Sequence, residues 1–170
     1  MDTNPTLADD IARLARQEEA LQFDHFTAHT AWELGCRLKA AVEARGQAVA
    51  IAIQLAGQPL FFYAMPGTTP DNGDWIRRKV NVVEHYHRSS YAVGLHLRHQ
   101  QTTLTDKAGL PARDYAPHGG SFPIRLRGSG LVGTITISGL PQRDDHNVIV
   151  AVLADYLGLP LADLALDPLS

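Results

Sequence analysis

The chain has 170 residues, of which 45% are hydrophobic and 19% are charged, a length and balance typical of one globular domain rather than a disordered segment. Its formal net charge is −3, and its densest basic stretch, 77–79, has only three members. Non-specific binding to nucleic acid needs a larger cluster of Lys and Arg, so we expect no nucleic-acid partner.

Cysteine usage and the N-terminal segment bear on the compartment. Cys36 is the single cysteine, so no intrachain disulfide forms, and a reducing compartment fits better than secretion. We interpret Cys36 as a buried packing residue. Residues 1–20 lack the apolar core of a signal peptide, and no apolar run is long enough to span a bilayer. We therefore expect a soluble, cytoplasmic protein with no membrane partner.

The hydrophobic periodicity predicts four helices and four strands in one domain spanning residues 1–170, with residues 1–20 as an N-terminal helical extension. The apolar stripe of this extension is thin, a pattern that suits packing on another subunit. The predicted helices are 6–21, 28–44, 74–99 and 144–156, and the predicted strands are 48–55, 59–65, 124–127 and 131–138. Two hairpins separated by a helix indicate an α+β fold with a mainly antiparallel sheet.

The predicted helix over 74–99 carries three polar residues, Lys79, His87 and Ser90, within its otherwise apolar arc. Lys79 either extends its charged end to solvent or, because a buried lysine needs a partner, faces a ligand or an anion. The pattern favours His87 as a core histidine. Ser90 is expected to bond a carbonyl one turn back.

Eight histidines raise the question of a metal site. No His-Glu-x-x-His or Cys-x-x-Cys pair is present, and His85 and His87 point to nearly opposite sides of a helix. We therefore predict no structural metal site. A catalytic metal held by the distant His118 and His146 stays open.

The segment His118-Gly119-Gly120-Ser121 is the second candidate region. Two consecutive glycines allow a close approach of backbone to a ligand, and a histidine beside them can donate, accept or ligate. A tight turn at the start of a strand explains the glycines equally well. Asp145 either orients a histidine base or caps a helix.

Three motifs then occur together in order. They are DNxxWIxRK at 71–79, followed by Ser89-Ser90, HGGSFPI at 118–124, and GxIxISGLPQxxDH at 133–146. They resemble the haem-degrading-domain (GlcG/HbpS-like) superfamily, specifically its uncharacterised protein family (UPF) branch, over roughly residues 20–158.

This resemblance implies a profilin-like three-layer α/β/α arrangement around a five-stranded, mainly antiparallel sheet, with the fifth strand near 110–115. It also implies a homo-oligomer, a dimer or larger ring, and it makes haem a possible cofactor. The positions that match the motifs and form the implied ligand site are Asn72, Trp75, Arg78, Lys79, His118, Gly119, Gly120, Ser121, Asp145 and His146. We expect Lys79 and the His118 loop to line one pocket, with Asn72 and Trp75 at its edge.

Three functional hypotheses follow. The first is a small-ligand-binding domain for an anionic or planar ligand, with haem as the named candidate, Lys79 meeting carboxylates and His118 as axial ligand. The second is an enzyme of unknown reaction with His118 or His146 as general acid/base and Lys79 as electrostatic partner. The third is an oligomeric scaffold or adaptor.

Overall fold

A computed structural model describes residues 6–168. The helices are α1 Leu7–Ala20, α2 Ala28–Glu43, α3 Pro70–Tyr86, α4 Ser90–His99, α5 Leu104–Ala108 and α6 Gln142–Leu157, with a short 3₁₀ turn at Leu161–Asp163. The strands are β1 Ala50–Leu55, β2 Gln58–Ala64, β3 Ser121–Leu126 and β4 Gly130–Ser138. The predicted α+β class is confirmed.

The sheet has the strand order β2-β1-β4-β3, and every neighbouring pair is antiparallel. Alternate residues of each strand point to opposite faces. Ile51 and Ile137 are register partners that enter the main core on one face. Ala50 packs with Ile76 and Val80 of α3 on the other. Along β4, isoleucines and hydroxyl residues alternate between these two faces.

Helices cover both faces of the sheet. The helices α2 and α6 pack on the face that carries the isoleucines, whereas α3 packs on the face formed by the hydroxyl residues of β4 and by Ala50. The helix α4 follows α3, and α1 packs on α4. As a result, the first turns of α3 and α6 both lie near the end of β4, where the candidate site forms.

The expected fifth strand is absent: residues 110–115 form turns, and the sheet of the described residues has four strands. Side chains of α3 explain this, because Arg77 and Arg78 donate hydrogen bonds to the carbonyls of Arg113 and Ala112, groups that a strand would offer to a neighbour. Beside β3, Phe23 forms an isolated parallel bridge with Leu126.

The predicted helix over 74–99 is two helices with a break between them. His87 ends α3 in the left-handed conformation, at φ 54°, and Ser89 caps α4 by accepting a hydrogen bond from the backbone N–H of Ala92. Glu18 of α1 fixes the break from outside, because its carboxylate accepts from the Ser89 N–H and pairs with Arg88. Consequently His87 is exposed, and its prediction as a core histidine was wrong.

Two smaller predictions also change. The helix α3 begins at Pro70 rather than at the predicted residue 74, because proline is compatible with the first position of a helix. Cys36 is exposed rather than buried. Within residues 6–168, no helix combines the length and the apolar character needed to cross a membrane.

Candidate functional site

A cavity of about 300 Å³ opens where the first turns of α3 and α6 meet the end of β4. We call it the Lys79 cavity. Its described lining consists of Asp71, Asn72, Trp75, Lys79, His118, Ser138, Gly139, Leu140, Gln142 and Asp145. Five of the ten predicted site residues therefore line one cavity, namely Asn72, Trp75, Lys79, His118 and Asp145.

Lys79 is the buried cation of this cavity, with only 3% of the residue exposed. Its ammonium donates to Asp145 Oδ2 at 2.9 Å and to the backbone carbonyl of Ile137 at 3.2 Å. An ammonium has three donors, so these two bonds leave one N–H for an acceptor in the cavity that Lys79 lines. Burial of Lys79 shows that the interpretation as a lysine extending to solvent was wrong, and the anion that it meets in the structure is Asp145.

Asp145 completes the pair and also binds the segment that leads from β4 into α6. Its Oδ1 accepts a hydrogen bond from the backbone N–H of Leu140 at 3.0 Å. Burial raises the pKa of Asp145, while Lys79 and the backbone N–H groups of Leu140 and Gly139 oppose this rise. Burial lowers the pKa of Lys79, and attraction to Asp145 partly offsets that effect. Each charge is thus held in the protein interior by the other.

Asn72 joins the first turn of α3 to the end of β4. Its Oδ1 accepts from the backbone N–H of Thr69 at 3.0 Å, and its Nδ2 donates to the carbonyl of Ser138 at 3.2 Å. The first turns of two long helices, α3 and α6, therefore border the same cavity. The partial positive charge at a helix N-terminus favours an anion at such a position.

His118 lies at the rim of the cavity and is partly exposed. Its ring meets that of Trp75 edge to face, with 5.4 Å between the centroids. The pKa of His118 is lowered, first by the protein packed around its ring and then by the positive charges of Lys79 and Arg78. A neutral imidazole is therefore favoured near neutral pH, the form that ligates a metal or accepts a proton.

Arg78 stands behind Trp75 rather than in the cavity. Its guanidinium lies 4.4 Å from the centre of the Trp75 ring, a cation–π contact. Its Nε and Nη2 both donate to the carbonyl of Ala112, at 3.1 and 2.7 Å. Arg78 thus fixes the Trp75 ring and the segment that leads to His118.

The two glycines after His118 permit close approach, but to protein groups rather than to the cavity. A Cβ on Gly119 would lie 2.1 Å from the carbonyl oxygen of Gln142, and a Cβ on Gly120 would lie 2.6 Å from Lys79 Nζ. Gly120 also has φ +131°, which glycine adopts most readily. Both residues position the wall of the site.

Ser121 and His146 lie away from the cavity lining. Ser121 Oγ bonds Thr136 Oγ1 at 2.8 Å, and its backbone N–H donates to Ser90 Oγ. Ser90 thus bonds across to β3 instead of to a carbonyl one turn back. His146 is completely buried, with Nε2 at 2.7 Å from Gln17 Oε1, because it lies one position after Asp145 on α6 and so points into the interior.

The structure adds cavity residues that sequence reasoning did not single out. Gln142 accepts the backbone N–H of Gly119 through its Oε1 at 3.1 Å, and Ser138 supplies the carbonyl that Asn72 binds. Both belong to the motif at 133–146, so the signal was present but pointed to no chemistry. Across residues 6–168, no group of three or more His, Cys, Asp or Glu side chains comes together as a metal site.

Residues 26–154 match the protein family described as haem degrading protein HbpS-like. The chain belongs to this family. The match covers the Lys79 cavity and the His118 loop, while α1 precedes it. The family indicated by the three sequence motifs is therefore confirmed.

Proteins named UPF0303 are similar along nearly the whole chain. One from Serratia proteamaculans is 58% identical over 153 residues, covering 90% of this chain and 95% of the relative. Another from Azotobacter vinelandii is 58% identical over 161 residues, covering 95% and 97%. These relatives confirm the UPF branch.

Solved structures of similar fold include Ybr137w, with a TM-score of 0.81 and 30% identity over 87% of each chain. A double mutant of HbpS from Streptomyces reticuli has a TM-score of 0.61 and 23% identity over 81% of this chain and 90% of that chain. PduOC in complex with heme has a TM-score of 0.64 and 16% identity over 76% and 93%. The last two likenesses establish the fold alone.

Proposed function

We propose that this protein is a small-ligand-binding domain whose Lys79 cavity takes a ligand with a carboxylate or similar anionic group. The observation that carries the proposal is the buried Lys79 ammonium, which has two protein acceptors and one remaining donor at a cavity wall. Burial of a lysine costs free energy, and the pairing with Asp145 offsets only part of that cost. A charged hydrogen bond from the remaining N–H to a ligand would offset more of it.

The hydrogen-bond donors at Lys79 favour an anion over a cation. Asp145 balances the charge of Lys79, and Asp71 adds a second carboxylate to the described lining, so recognition of an anion depends on directed hydrogen bonds and on the two helix N-termini rather than on net charge. Both oxygens of Asp145 already accept hydrogen bonds from protein groups. A cationic ligand would therefore have to compete with Lys79 for its own counter-ion.

Haem is the named planar candidate, and it comes from the family description. The residues fit it in one respect: His118 is accessible at the rim, and its lowered pKa favours the neutral imidazole that an axial ligand needs. Lys79 is available for a carboxylate group. The cavity of about 300 Å³ is at the small end for ligand sites, so a macrocycle would extend past His118.

Acetate and inorganic phosphate are the direct probes of the anion site, titrated into the protein and followed by NMR chemical shifts. We expect saturable binding of acetate and a loss of about tenfold or more in affinity when Lys79→Met and Asp145→Asn are combined, since a charged hydrogen bond is lost. The matched control is Lys39→Met with Glu43→Gln, which likewise replaces a lysine by methionine and its carboxylate partner by an amide, at an exposed ion pair. Equal affinities of both double variants would refute the proposal.

Haem is tested separately by absorbance titration. A saturable shift of the Soret band that disappears in the variant His118→Ala supports axial ligation by His118. A shift that survives this substitution removes His118 from that role. An unchanged spectrum in the wild-type protein removes haem while leaving the anion site to the acetate experiment.

A second candidate is an acid–base enzyme, because two titratable groups with lowered pKa values, Lys79 and His118, line one cavity. In that case His118 would be the base near neutral pH and Lys79 would stabilise developing negative charge. Turnover of carbonyl or ester test compounds that is lost with His118→Gln, while acetate binding persists, would favour this candidate.

We also propose a homo-oligomer that pairs through the edge strand β2. Trp32 is 62% exposed and Phe62 is 59% exposed, and they lie on opposite faces of this edge, since Trp32 packs with Phe61. A second copy of β2 would satisfy the open backbone edge and cover both aromatics. Phe62→Lys should reduce the sedimentation coefficient, whereas Leu161→Lys, at another exposed apolar residue, should not. The single cysteine supports a cytoplasmic setting for this assembly.

A further inference from the structure

A second cavity of about 310 Å³ adjoins the Lys79 cavity, and His118 and Gln142 line both. We call it the leucine cavity. Its apolar wall comes from α4, from α5 and from the segment between α5 and β3, and includes Leu95, Leu97, Leu104, Leu110 and Pro117. Because His118 and Gln142 line both spaces, one elongated molecule can enter both.

The charges of the leucine cavity differ from those of the Lys79 cavity. Arg78 and Arg98 line it, and none of its described lining residues is acidic. Arg98 is exposed and lies in the last turn of α4. The cavity therefore offers an apolar wall with a positive rim, which excludes cationic ligands and accepts an apolar body or a further anionic group.

We infer that the ligand class of this site is an amphipathic carboxylate, with its carboxylate at Lys79 and its apolar body in the leucine cavity. The inference rests on the proposed anion site and deepens it, because it names the part of the ligand that the Lys79 cavity does not hold. Gln142 is suited to the junction: its Oε1 accepts a hydrogen bond from the backbone N–H of Gly119, and the residue lines both spaces.

Chain length is the variable that tests this. Acetate, butanoate, hexanoate and octanoate are titrated in turn, with hexylamine as a cationic control, and the methyl signals of the leucines are followed by NMR. We expect affinity to rise about fourfold for each added CH₂ until the cavity is filled, the factor that corresponds to about 0.8 kcal/mol per buried CH₂. Hexylamine should not bind, and octanoate should shift Leu104 and Leu110 signals.

A bulky substitution separates the two cavities. Ala112→Trp places an indole at the wall of the leucine cavity and should abolish the dependence on chain length. Ala108→Trp is the matched control, since Ala108, the last residue of α5, is also exposed but does not line the cavity. An equal loss of octanoate affinity in both variants would contradict the inference.

Each outcome assigns success or failure to one of the two proposals. If acetate and octanoate bind the wild-type protein equally, the leucine cavity plays no part and only the anion site stands. If octanoate binds but its affinity is unchanged in the Lys79→Met, Asp145→Asn variant, the carboxylate does not lie at Lys79. If no carboxylate binds, the proposed function and this inference fall together.

Discussion

Two buried ion pairs extend from the first turn of α6 in different directions. Arg143 pairs with Asp10 of α1, and Asp145 pairs with Lys79 of α3. Two residues apart on a helix, Arg143 and Asp145 cannot share a face, so one points to the N-terminal helix and the other to the cavity. Both ion pairs are buried and both include a residue of α6, but the groups around the two cations differ.

The two cations, Arg143 and Lys79, differ in how many of their hydrogen-bond donors are already used by protein acceptors. Arg143 donates to both oxygens of Asp10, to the carbonyl of Asp167 and to the hydroxyl of Tyr91, and only its Nε lacks a partner in the described chain. Lys79 has two protein acceptors and a cavity. Burial of a charge therefore marks a functional group only where a donor is left at accessible space.

The largest expected effect is on the free energy of unfolding, which should depend more on the Arg143–Asp10 pair than on an exposed pair. Arg143→Met leaves Asp10 buried without its partner and should lower the free energy of unfolding by about 3–5 kcal/mol, measured by urea denaturation. The affinity for acetate of the remaining folded protein should not change. Arg37→Met, at an exposed pair, should cost less than about 1 kcal/mol. A loss of acetate binding with Arg143→Met would show that the two pairs are coupled.

We expect acid to lower the free energy of unfolding through His146, a buried residue of α6. Burial and then the charge of Arg143 lower the pKa of His146 from 6.5 to about 3. Between these two pH values His146 is protonated in the unfolded state and neutral in the folded state. The free energy of unfolding therefore decreases as the pH falls, by up to about 1.4 kcal/mol per pH unit. His146→Gln should flatten this slope between pH 6.5 and 4. An unchanged slope would assign acid sensitivity to other groups.

Replacing both members of the cavity pair should have a smaller effect on stability. Lys79→Met alone leaves a buried carboxylate, whereas Lys79→Met with Asp145→Asn leaves no buried charge and should change the free energy of unfolding by only about 1 kcal/mol. Calorimetric melting of the single and double variants measures this. If the double variant is as unstable as the single one, the pair is retained for stability rather than for a ligand.

The smallest effect concerns His118. Because the charge of Arg78 contributes to the lowered pKa of His118, Arg78→Gln should raise that pKa, observed by NMR titration of the ring protons. Arg78 also holds Ala112 and Trp75, so the ring position is checked by its contact with Trp75 in the same spectra. No change in the pKa would mean that solvent screens the guanidinium.

The sequence was sufficient for parts of this site. The wheel over 74–99 placed Lys79 on the buried side, and that placement survives because Lys79 lies within α3. The prediction for His87 came from the same helical pattern and was wrong, because the helix is interrupted there. Glu18, far away in sequence, binds the start of α4. A periodicity assumes a continuous helix, and a capping contact from another helix is not visible in it.

The motif at 133–146 shows the same limit. It contains both Asp145 and His146, and sequence resemblance alone gives them equal standing as site residues. A step of one residue on α6 turns the side chain by about 100°, so Asp145 meets Lys79 and His146 meets Gln17. The prediction of a fifth strand was wrong for a comparable reason, since the arginines of α3 donate hydrogen bonds to the carbonyls of residues 112 and 113.

The contacts of α1 set an order for folding during synthesis. Gln17 donates to the carbonyl of Leu164, 147 residues later in the chain, and Arg13 donates to that of Asp163. Arg143, the partner of Asp10, itself requires the carbonyl of Asp167 for a further bond. These contacts of α1 form only after residues 163–167 have been translated, so Arg13 and Gln17 stay hydrated until then.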